Sequence, residues 1–340
     1  MKKIILVTGS AGFIGFHISK LLLKNNYKVI GVDNFNNYYS VSLKKNRNKE
    51  LKSFINYTFI KLDICKKNKI IKICKKFKIS HILHLAAQAG VRYSIKNPDS
   101  YIKNNLIGFF NVIDAARLCK IKHFVYASSS SVYGLNKEKS FKESDRTDHP
   151  ISLYGATKKS NEIIAHSYSY IYGLPVTGLR FFTVYGPYGR PDMSLFLFVK
   201  NILARKKIKI FNHGKMKRSF TFIDDISRAV FKILFKVPKY KKSKKKLTSD
   251  ISIAPFQIYN LGNPNDTGLL DYVKSIEMKL KIKVAKKFLN LQLGDVVSTK
   301  ANVNKIKKAI NFKINNNLNL GISNFLNWYK KYFKIKIKNS

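Results

Sequence analysis

The sequence is poor in cysteine, tryptophan and acidic residues. Its 340 residues include three cysteines, one tryptophan and 18 Asp or Glu, against 65 Lys or Arg. The cysteines, Cys65, Cys74 and Cys119, form no CxxC pair, and an odd number leaves one thiol over in any pairing scheme. This argues against a disulfide-stabilised secreted domain, so we expect these thiols to serve packing in a reducing compartment.

Long uncharged apolar runs are also missing. No stretch of 18 or more uncharged apolar residues occurs, so no membrane-spanning helix is predicted. The apolar opening at residues 4–7 ends at Thr8-Gly9 without a cleavage-type segment, which argues against a signal peptide. The histidines show no metal-ligand spacing, and His84 lies in an apolar run typical of the core. We therefore expect a cytoplasmic protein without a metal site.

The excess of basic residues gives a formal net charge of +47. Such a charge ordinarily suggests binding to nucleic acid or to an anionic membrane. The lysines, however, are spread along the whole chain among many Asn and Ile residues, as a general drift in composition would produce. The densest run, residues 236–246, is interpreted as a solvated loop, with a polyanion contact as the alternative. Nucleic-acid binding is not expected, although the positive potential should attract an anionic substrate.

Short β-rich runs alternate with helical patterns along the first half of the chain. With 340 residues and 45% apolar content, the chain can bury a large core. Predicted strands span residues 3–7, 29–33, 57–63, 79–86, 123–128 and 175–181, and the clearest helices span 105–118 and 153–172. This alternation predicts an α/β fold with a doubly wound parallel sheet. Looser patterning after residue 185 predicts a smaller C-terminal substrate lobe, giving domains 1–182 and 183–340 with interleaved segments.

A glycine loop lies between the first predicted strand and the first helix. Gly9, Gly12 and Gly15 permit a tight turn and a close backbone approach, and the following helix offers N–H donors to a diphosphate. Asp33 ends the second strand about 20 residues later, where a carboxylate binds ribose hydroxyls and repels a 2′-phosphate. The pattern predicts NAD rather than NADP, with a ligand-free structural turn as the alternative. Asp63 ends the third strand and is a weaker candidate for an adenine contact.

Tyr154 and Lys158 lie four residues apart, and therefore on one face of the predicted helix 153–172. A free phenol has a pKa near 10, so abstracting a proton at neutral pH requires a lower value, which the Lys158 ammonium and a nicotinamide cation could supply. The run Ser128–Ser131 follows the fifth strand, at the sheet edge where ligands bind. One of these hydroxyls could share the substrate proton, a plain polar turn being the alternative. Together these features predict hydride chemistry on an alcohol.

These segments resemble the extended short-chain dehydrogenase/reductase family, and within it the nucleotide-sugar epimerases. The segments that carry the resemblance are Thr8–Gly15, Val32–Asn34, His84–Gln88, Asn97-Pro98 with Asn105, Ala127–Gly134, Tyr154–Lys158 and Leu179–Phe182. Ala89–Ser94, Asp148–Lys159 and above all Thr183–Met193 are most similar to the UDP-glucuronate 4-epimerases. The resemblance implies a Rossmann-like fold, bound NAD, a UDP-sugar substrate and a homodimer formed through a helix bundle.

The resemblance also implies roles for single residues. The catalytic residues are expected to be Tyr154, Lys158 and Ser129. Cofactor contacts are expected from Gly9, Gly12, Phe13, Ile14, Gly15, Asp33, Asn34, Asp63, Ile64, Leu85, Ala86, Ala87, Gln88, Asn105, Ser128, Tyr154 and Lys158. Substrate contacts are expected from Arg92, Ser129, Ser130, Thr183, Arg190, Arg218, Gln292 and Asp295. Among these, Thr183 and Arg190 should bind the sugar carboxylate, with the arginine meeting it bidentately, and Arg218 should bind the diphosphate.

Some positions depart from the pattern of the family and of its neighbours. Arg218–Phe220 has Ser where Asp is usual, and Leu291–Asp295 lacks the usual Pro or basic residue; both segments lie on the expected diphosphate side. Ser130 and Ser131 stand where sugar dehydratases carry Asp-Glu, and the Glu usual in decarboxylases is absent. The sequence thus predicts 4-epimerisation of UDP-glucuronate. The alternatives are a UDP-glucose 4-epimerase, a UDP-glucuronate decarboxylase and, more remotely, a non-catalytic RNA-binding relative.

Overall fold

A computed structural model describes residues 3–241, 247–315 and 317–335. Its strands are β1 (Ile4–Thr8), β2 (Lys28–Asp33), β3 (Tyr57–Lys61), β4 (His81–His84), β5 (His123–Ser129), β6 (Val176–Phe181), β7 (Thr183–Tyr185), β8 (Ile208–Phe211), β9 (Lys217–Arg218), β10 (Phe220–Phe222), β11 (Phe256–Leu261), β12 (Thr267–Gly268), β13 (Lys286–Leu289) and β14 (Ser298–Thr299). Its α-helices are α1 (Phe13–Lys24), α2 (Val41–Lys52), α3 (Lys67–Lys76), α4 (Val91–Lys96), α5 (Pro98–Tyr101), α6 (Gly108–Leu118), α7 (Leu153–Tyr172), α8 (Ser194–Leu203), α9 (Ile223–Leu234), α10 (Leu269–Leu280), α11 (Asn304–Ile310) and α12 (Leu318–Phe333).

The central sheet is parallel throughout the described part of the chain. Its seven strands run in the order β11-β6-β5-β4-β1-β2-β3. The central strands are continuous apolar runs because helices cover both faces; Ile5, Leu6 and Val7 of β1, for example, are fully buried. The predicted fold class is confirmed.

The strand order reverses beside β1. On one side of β1, successive strands of the chain follow in the order β2, β3; on its other side they follow in the order β4, β5, β6. In open α/β sheets, ligands bind outside the carboxyl ends of the strands at this reversal. The ends of β1, β2, β4 and β5 therefore mark the place to look for a site.

The seventh strand comes from late in the chain. β11 pairs in parallel with β6 from Phe256↔Val176 to Leu261↔Phe181, and α9 packs against α1. All six predicted strands are present, and α7 has the predicted bounds, but β11 was not predicted. Its short apolar run stands apart from the alternating pattern, so only the pairing with β6 identifies it. The domain boundary at residue 182 stays a prediction, although segments beyond it help to build the sheet.

Three smaller sheets lie in the second half of the described chain. β10 pairs with β7, β13 with β8, and β9 lies between β12 and β14. The last of these sheets carries Arg218. Residues 236–241 of the lysine-rich run form no regular element, and residues 242–246 lie outside the described residues, where the predicted loop stays a prediction.

Neither a transmembrane helix nor a metal cluster is found in the described ranges. There, no helix has both the length and the apolarity needed to cross a membrane. The same residues contain no group of three or more His, Cys, Asp or Glu side chains that could hold a metal ion.

Candidate active site

The glycine loop between β1 and α1 is so tightly folded that side chains are excluded from it. Gly9 has a φ of +73°, and a Cβ there would lie 2.8 Å from the backbone nitrogen of Ala86. A Cβ at Gly15 would lie 2.0 Å from the carbonyl oxygen of Gly9. Gly12 is the N-cap of α1, and no described side chain caps the helix amides there. These free donors at a helix start suit a diphosphate, so the loop fits the predicted dinucleotide.

Asp33 ends β2 beside this loop. Its Oδ2 accepts a hydrogen bond from the Ala11 amide at 3.2 Å, and its Oδ1 accepts one from the Phe35 amide at 2.9 Å. Burial raises the pKa of this carboxyl, although the two amides and the charges of Lys44 and Arg47 oppose the rise. The carboxylate is thus fixed in orientation at the end of the cleft where a ribose of NAD would lie.

The cleft runs from the glycine loop, past the ends of the strands, to the start of α7. Of the predicted site residues, its described lining contains Gly9, Gly12, Phe13, Ile14, Gly15, Asp33, Asn34, Ile64, Leu85, Ala86, Ala87, Gln88, Ser128, Ser129, Tyr154, Lys158 and Arg190. Residues from seven segments far apart in sequence therefore meet in one cleft. Ser152 starts α7 by accepting the Gly155 amide at 3.1 Å, which places Tyr154 in the first turn, at the cleft.

The lining also includes residues that the sequence analysis missed, chiefly Asn36, Tyr38, Tyr39, Lys44 and Met193. Lys44 donates to the carbonyl oxygen of Asn36 at 2.7 Å, and burial lowers the pKa of Lys44 to about 8. The signal that could have found most of them is their place directly after β2, because loops after parallel strands face the ligand.

Two predicted cofactor residues lie beside the cleft rather than in its described lining. Asp63 uses its carboxylate to hold the turn after β3, accepting the Cys65 amide at 2.8 Å and the Asn34 side chain at 3.4 Å. Asn105 lies in a π-helical turn, residues 102–107, where its amide exchanges hydrogen bonds of 2.8 and 3.0 Å with the Gln88 backbone. Both side chains hold residues that do line the cleft, so the structure places them one layer further back.

The ionisable pair on α7, Tyr154 and Lys158, contacts the end of β5. Burial raises the pKa of the Tyr154 phenol, whereas a hydrogen bond with Ser129 and the charge of Arg190 lower it. Lys158 donates to the carbonyl oxygen of Ala127 at 2.9 Å, and burial lowers its own pKa to about 8. Ser129 and Arg190 therefore favour the phenolate, and the Lys158 ammonium is held at the end of β5. The predicted effect of Lys158 on the phenol stays a prediction.

A buried ion pair supports the serine run behind Tyr154. Ser128 donates to Glu162 Oε1 at 2.6 Å, and Glu162 receives two hydrogen bonds of 2.8 and 2.9 Å from Arg180. Arg180 also donates to the Tyr133 hydroxyl at 3.0 Å. Since the Ser128 hydroxyl is committed to Glu162, Ser129 is the serine whose hydroxyl contacts Tyr154.

Arg190 lines the cleft, but part of its guanidinium is occupied. Its Nε and Nη2 donate to the two carboxylate oxygens of Asp192 at 3.0 and 2.9 Å. The side edge of the fork, Nε and Nη2, is therefore bound to Asp192, whereas its end edge still offers N–H donors from Nη1 and Nη2. The predicted bidentate contact with a sugar carboxylate stays a prediction. Thr183 and Arg190 line the same small adjoining cavity.

The remaining predicted substrate residues cluster around β9. Arg218 pairs with Asp295 at 2.9 Å, and the positive charge of Arg92, which lies 5.2 Å from the centroid of the Phe211 ring, acts on Arg218. The Gln292 Oε1 is buried and has no hydrogen-bond partner among the described residues. These groups form a positively charged region outside the described lining of the cleft. Ser130 lies in the 3-10 turn after β5 and outside that lining as well.

Comparison with known proteins agrees with this site. Residues 5–249 match the model of the NAD dependent epimerase/dehydratase family. The chain belongs to this family. It is 47% identical to Protein CapI of Staphylococcus aureus, over 97% of this chain and 99% of that one. It is 44% identical to UDP-glucuronate 4-epimerase 4 of Arabidopsis thaliana, over 97% of this chain and 76% of that one.

A solved structure is similar over almost the same length. It is the UDP-glucuronic acid 4-epimerase of Bacillus cereus in complex with UDP-glucuronic acid and NAD, with a TM-score of 0.87, 32% identity, and 97% of this chain and 99% of that chain covered. The predicted membership of the nucleotide-sugar epimerases is confirmed, and the family's dependence on NAD bears out the predicted cofactor.

Proposed function

We propose that this protein is an NAD-dependent epimerase that interconverts UDP-glucuronate and UDP-galacturonate at C4. The observation that carries the proposal is the meeting of Tyr154, Ser129 and Arg190 at one end of the cleft that begins at the glycine loop. A proton acceptor, its hydrogen-bond partner and a cation suited to a uronate are thus adjacent. Relatives that match 97% of this chain and have this activity in their names support the same conclusion.

The proposed reaction gives Tyr154, Ser129 and Lys158 separate roles. The cleft that begins at the glycine loop would hold NAD, which would supply a reversible acceptor for the hydride of the sugar C4. Tyr154 as phenolate takes the proton of the 4-hydroxyl, and Ser129, in contact with the phenol, relays or polarises it. The Lys158 ammonium, anchored on the Ala127 carbonyl, would hold the cofactor ribose. Because the hydride returns, the reaction has no net redox change.

The choice of a uronate over glucose rests on charge. The positive charge of Arg190 acts on the Tyr154 phenol. When C4 of the sugar lies at Tyr154, a carboxylate at C6 therefore lies near the Arg190 guanidinium. The pair of Arg92 and Arg218, with Asp295 as partner of the latter, supports a diphosphate at the far side. Both features suit a substrate that carries negative charge on its sugar carboxylate and on its diphosphate.

The proposal is tested by incubating the purified protein and NAD separately with UDP-glucuronate and UDP-glucose, and separating epimers from pentose products by chromatography. We expect UDP-galacturonate as the main product. Faster turnover of UDP-glucose would support the glucose epimerase instead, and a pentose as main product would support a decarboxylase. RNA binding that weakens steeply with salt, without turnover of either sugar, would support the non-catalytic alternative.

Arg190→Ala should weaken uronate binding selectively. We expect the KM for UDP-glucuronate to rise about tenfold to a hundredfold, since a charge-assisted hydrogen bond is lost and Asp192 is left without its cation. The KM for UDP-glucose, measured in the same initial-rate assay, should change far less. An equal rise for both sugars would contradict a role for Arg190 in binding the carboxylate.

We also propose that the protein is a homodimer in which α6 and α7 pack against the same helices of a second copy. The support is an exposed apolar face on these helices. Ile107 precedes α6, Phe110 lies in its first turn, Ile163 and Tyr170 lie on α7 two turns apart, and all four are exposed. Phe110 lies against Tyr168 of α7, with ring centroids 6.3 Å apart, so the two helices share the face. Large exposed apolar faces of this kind typically mark an interface.

Ile163→Lys should dissociate such a dimer, because it places a lysine and its symmetry mate in an apolar contact. Sedimentation velocity should show a monomer for this variant and a dimer for the parent. Ile55→Lys is the matched control, since Ile55 is a fully exposed isoleucine in the turn between α2 and β3. A dimer that persists in Ile163→Lys would contradict the proposed interface. A cytoplasmic location and the absence of nucleic-acid binding stay predictions.

A further inference from the structure

Asp192 holds the Arg190 guanidinium from outside the cleft. Its two carboxylate oxygens accept from Arg190 Nε at 3.0 Å and from Nη2 at 2.9 Å. The Tyr38 hydroxyl donates to the same carboxylate at 3.1 Å. Arg190 and Tyr38 belong to the described lining of the cleft, and Asp192 does not. The carboxylate is thus placed to orient the arginine without contacting a ligand in the cleft itself.

Asp192 is ionised at neutral pH. Burial alone would raise the pKa of its carboxyl, but the charge and hydrogen bonds of Arg190 and the hydrogen bond of Tyr38 hold this pKa below its usual range. The two-pronged contact fixes the plane of the guanidinium, since both donors on its side edge are engaged. The Nη1 nitrogen then points in one set direction relative to Asp192.

Orientation of the substrate carboxylate matters chemically in the proposed reaction. Oxidation at C4 of a uronate gives a ketone next to C5, which carries the carboxylate C6, so the intermediate is a β-keto acid. When the C5–C6 bond stands perpendicular to the ketone plane, it breaks readily. Its electron pair then forms the C4–C5 enolate, carbon dioxide leaves, and C5 later takes a proton from water. A carboxylate held in another orientation keeps the bond intact.

We propose that Asp192 is a positioning residue that fixes the orientation of Arg190 so that the 4-keto uronate keeps its carboxylate. The inference rests on the proposed epimerase function. Tyr38 joins this arrangement to the cofactor-binding half, because it follows β2 in the segment after Asp33 and Asn34. Asp192 therefore governs which product forms more than how tightly the substrate binds.

Asp192→Asn tests the proposal because the amide keeps the size of the side chain and removes its charge. The complete protein with NAD is given UDP-glucuronate labelled with carbon-14 at C6, and released carbon dioxide is measured against UDP-galacturonate formed. We expect the ratio of carbon dioxide to epimer to rise about tenfold or more, since a poorly oriented group loses much of its effect. The KM for UDP-glucuronate should not rise, because Arg190 keeps its charge and loses a competing carboxylate. Tyr38→Phe, which removes one hydrogen bond, should shift the ratio the same way by less.

Asp114→Asn is the matched control. Asp114 also accepts from an arginine and a tyrosine, Arg117 at 2.8 Å and Tyr168 at 3.3 Å, but outside the described lining of the cleft. It should leave the ratio unchanged. A raised KM with an unchanged ratio in Asp192→Asn, or an equal rise in both variants, would overturn the proposal. If the parent protein forms no UDP-galacturonate, the proposed function itself fails, which is a separate outcome.

Discussion

Tyr154→Phe is expected to lower kcat for UDP-glucuronate about 1,000-fold, within the range that general acid–base groups contribute. The substitution removes only the hydroxyl that exchanges the proton with the 4-hydroxyl of the sugar. The aromatic ring, which meets the Tyr101 ring edge-on at 6.1 Å between centroids, is retained, so folding and the shape of the cleft should be preserved. Turnover is measured by separating the two UDP-uronates after timed incubation.

The control for this variant is Tyr170→Phe, which removes the hydroxyl of an exposed tyrosine on the same helix. It should turn over substrate at the parental rate. NAD binding by Tyr154→Phe, measured by calorimetry, should stay within a fewfold of the parent protein. Full turnover by Tyr154→Phe would show that the phenol is not the acid–base group and would remove the basis of the proposed mechanism.

The kcat/KM of the parent protein should also depend on pH, because Tyr154 acts as a base only after it loses its proton. Since burial raises the pKa of the phenol and the base is active only when ionised, kcat/KM should increase as pH rises toward that pKa. Ser129→Ala removes the hydrogen bond that lowers this pKa, so the rising limb of the profile should move to higher pH. A profile that does not move would argue against contact between Ser129 and the phenol in the working enzyme.

Lys158→Met is expected to reduce kcat about 100-fold and, at neutral pH, to stabilise the protein against unfolding. Lys158 is almost fully buried, and its pKa is lowered by burial to about 8. Relative to an unfolded lysine near 10.4, this shift costs the folded state about 3 kcal/mol at pH values below 8. The variant removes that cost but leaves the Ala127 carbonyl without its donor, which costs about 1 kcal/mol.

The sign of the pH dependence follows from the lowered pKa. Between about pH 8 and pH 10.4 the unfolded lysine keeps its proton while the folded one loses it, so the stability of the parent rises with pH in this window. The advantage of Lys158→Met, about 2 kcal/mol at pH 7, should therefore shrink and disappear across the window. Urea denaturation of both proteins without added NAD, at pH 7, 9 and 10, measures this difference in the free energy of unfolding. A variant less stable than the parent at pH 7 would contradict the cost assigned to burying the ammonium.

The sequence was most informative where a local pattern has one physical solution. The tight spacing of Gly9, Gly12 and Gly15 after a strand permits little else than a turn into a helix, and the structure shows why, since added Cβ atoms would collide with backbone. The four-residue spacing of Tyr154 and Lys158 predicted a common helix face, and Ser152 supplies the N-cap that starts α7 just before them. Strands β1 to β6 were found because each is a short apolar run between helical patterns.

The sequence was least informative where partners come from distant segments. Lys44 and Glu162 stand in no recognisable motif, and Asp192 stands in the segment Thr183–Met193 without a predicted role. Their roles follow from the charge of Lys44 near Asp33, and from the hydrogen bonds of Arg180 to Glu162 and of Arg190 to Asp192. Asp63 and Asn105 hold the turns behind the lining, a role that the sequence did not indicate, and their predicted contact with the cofactor stays a prediction. No spacing rule distinguishes a residue that lines a cleft from one that supports the lining.

The sequence by itself determined the fold class and the cofactor, since the alternation of strands with helices and the glycine loop are patterns of neighbouring residues. It also predicted Tyr154 as the acid–base residue, and this role stays a prediction. Only the tertiary structure decided which side chains of the site form hydrogen bonds with each other and which charges act on the phenol. In the folded chain, Lys158 donates to the Ala127 carbonyl and Asp192 accepts hydrogen bonds from Arg190. Ser129 and Arg190 favour the Tyr154 phenolate. The physical reason is that pKa values and side-chain orientation depend on burial and on charges brought close by folding, which neighbours in the sequence do not specify.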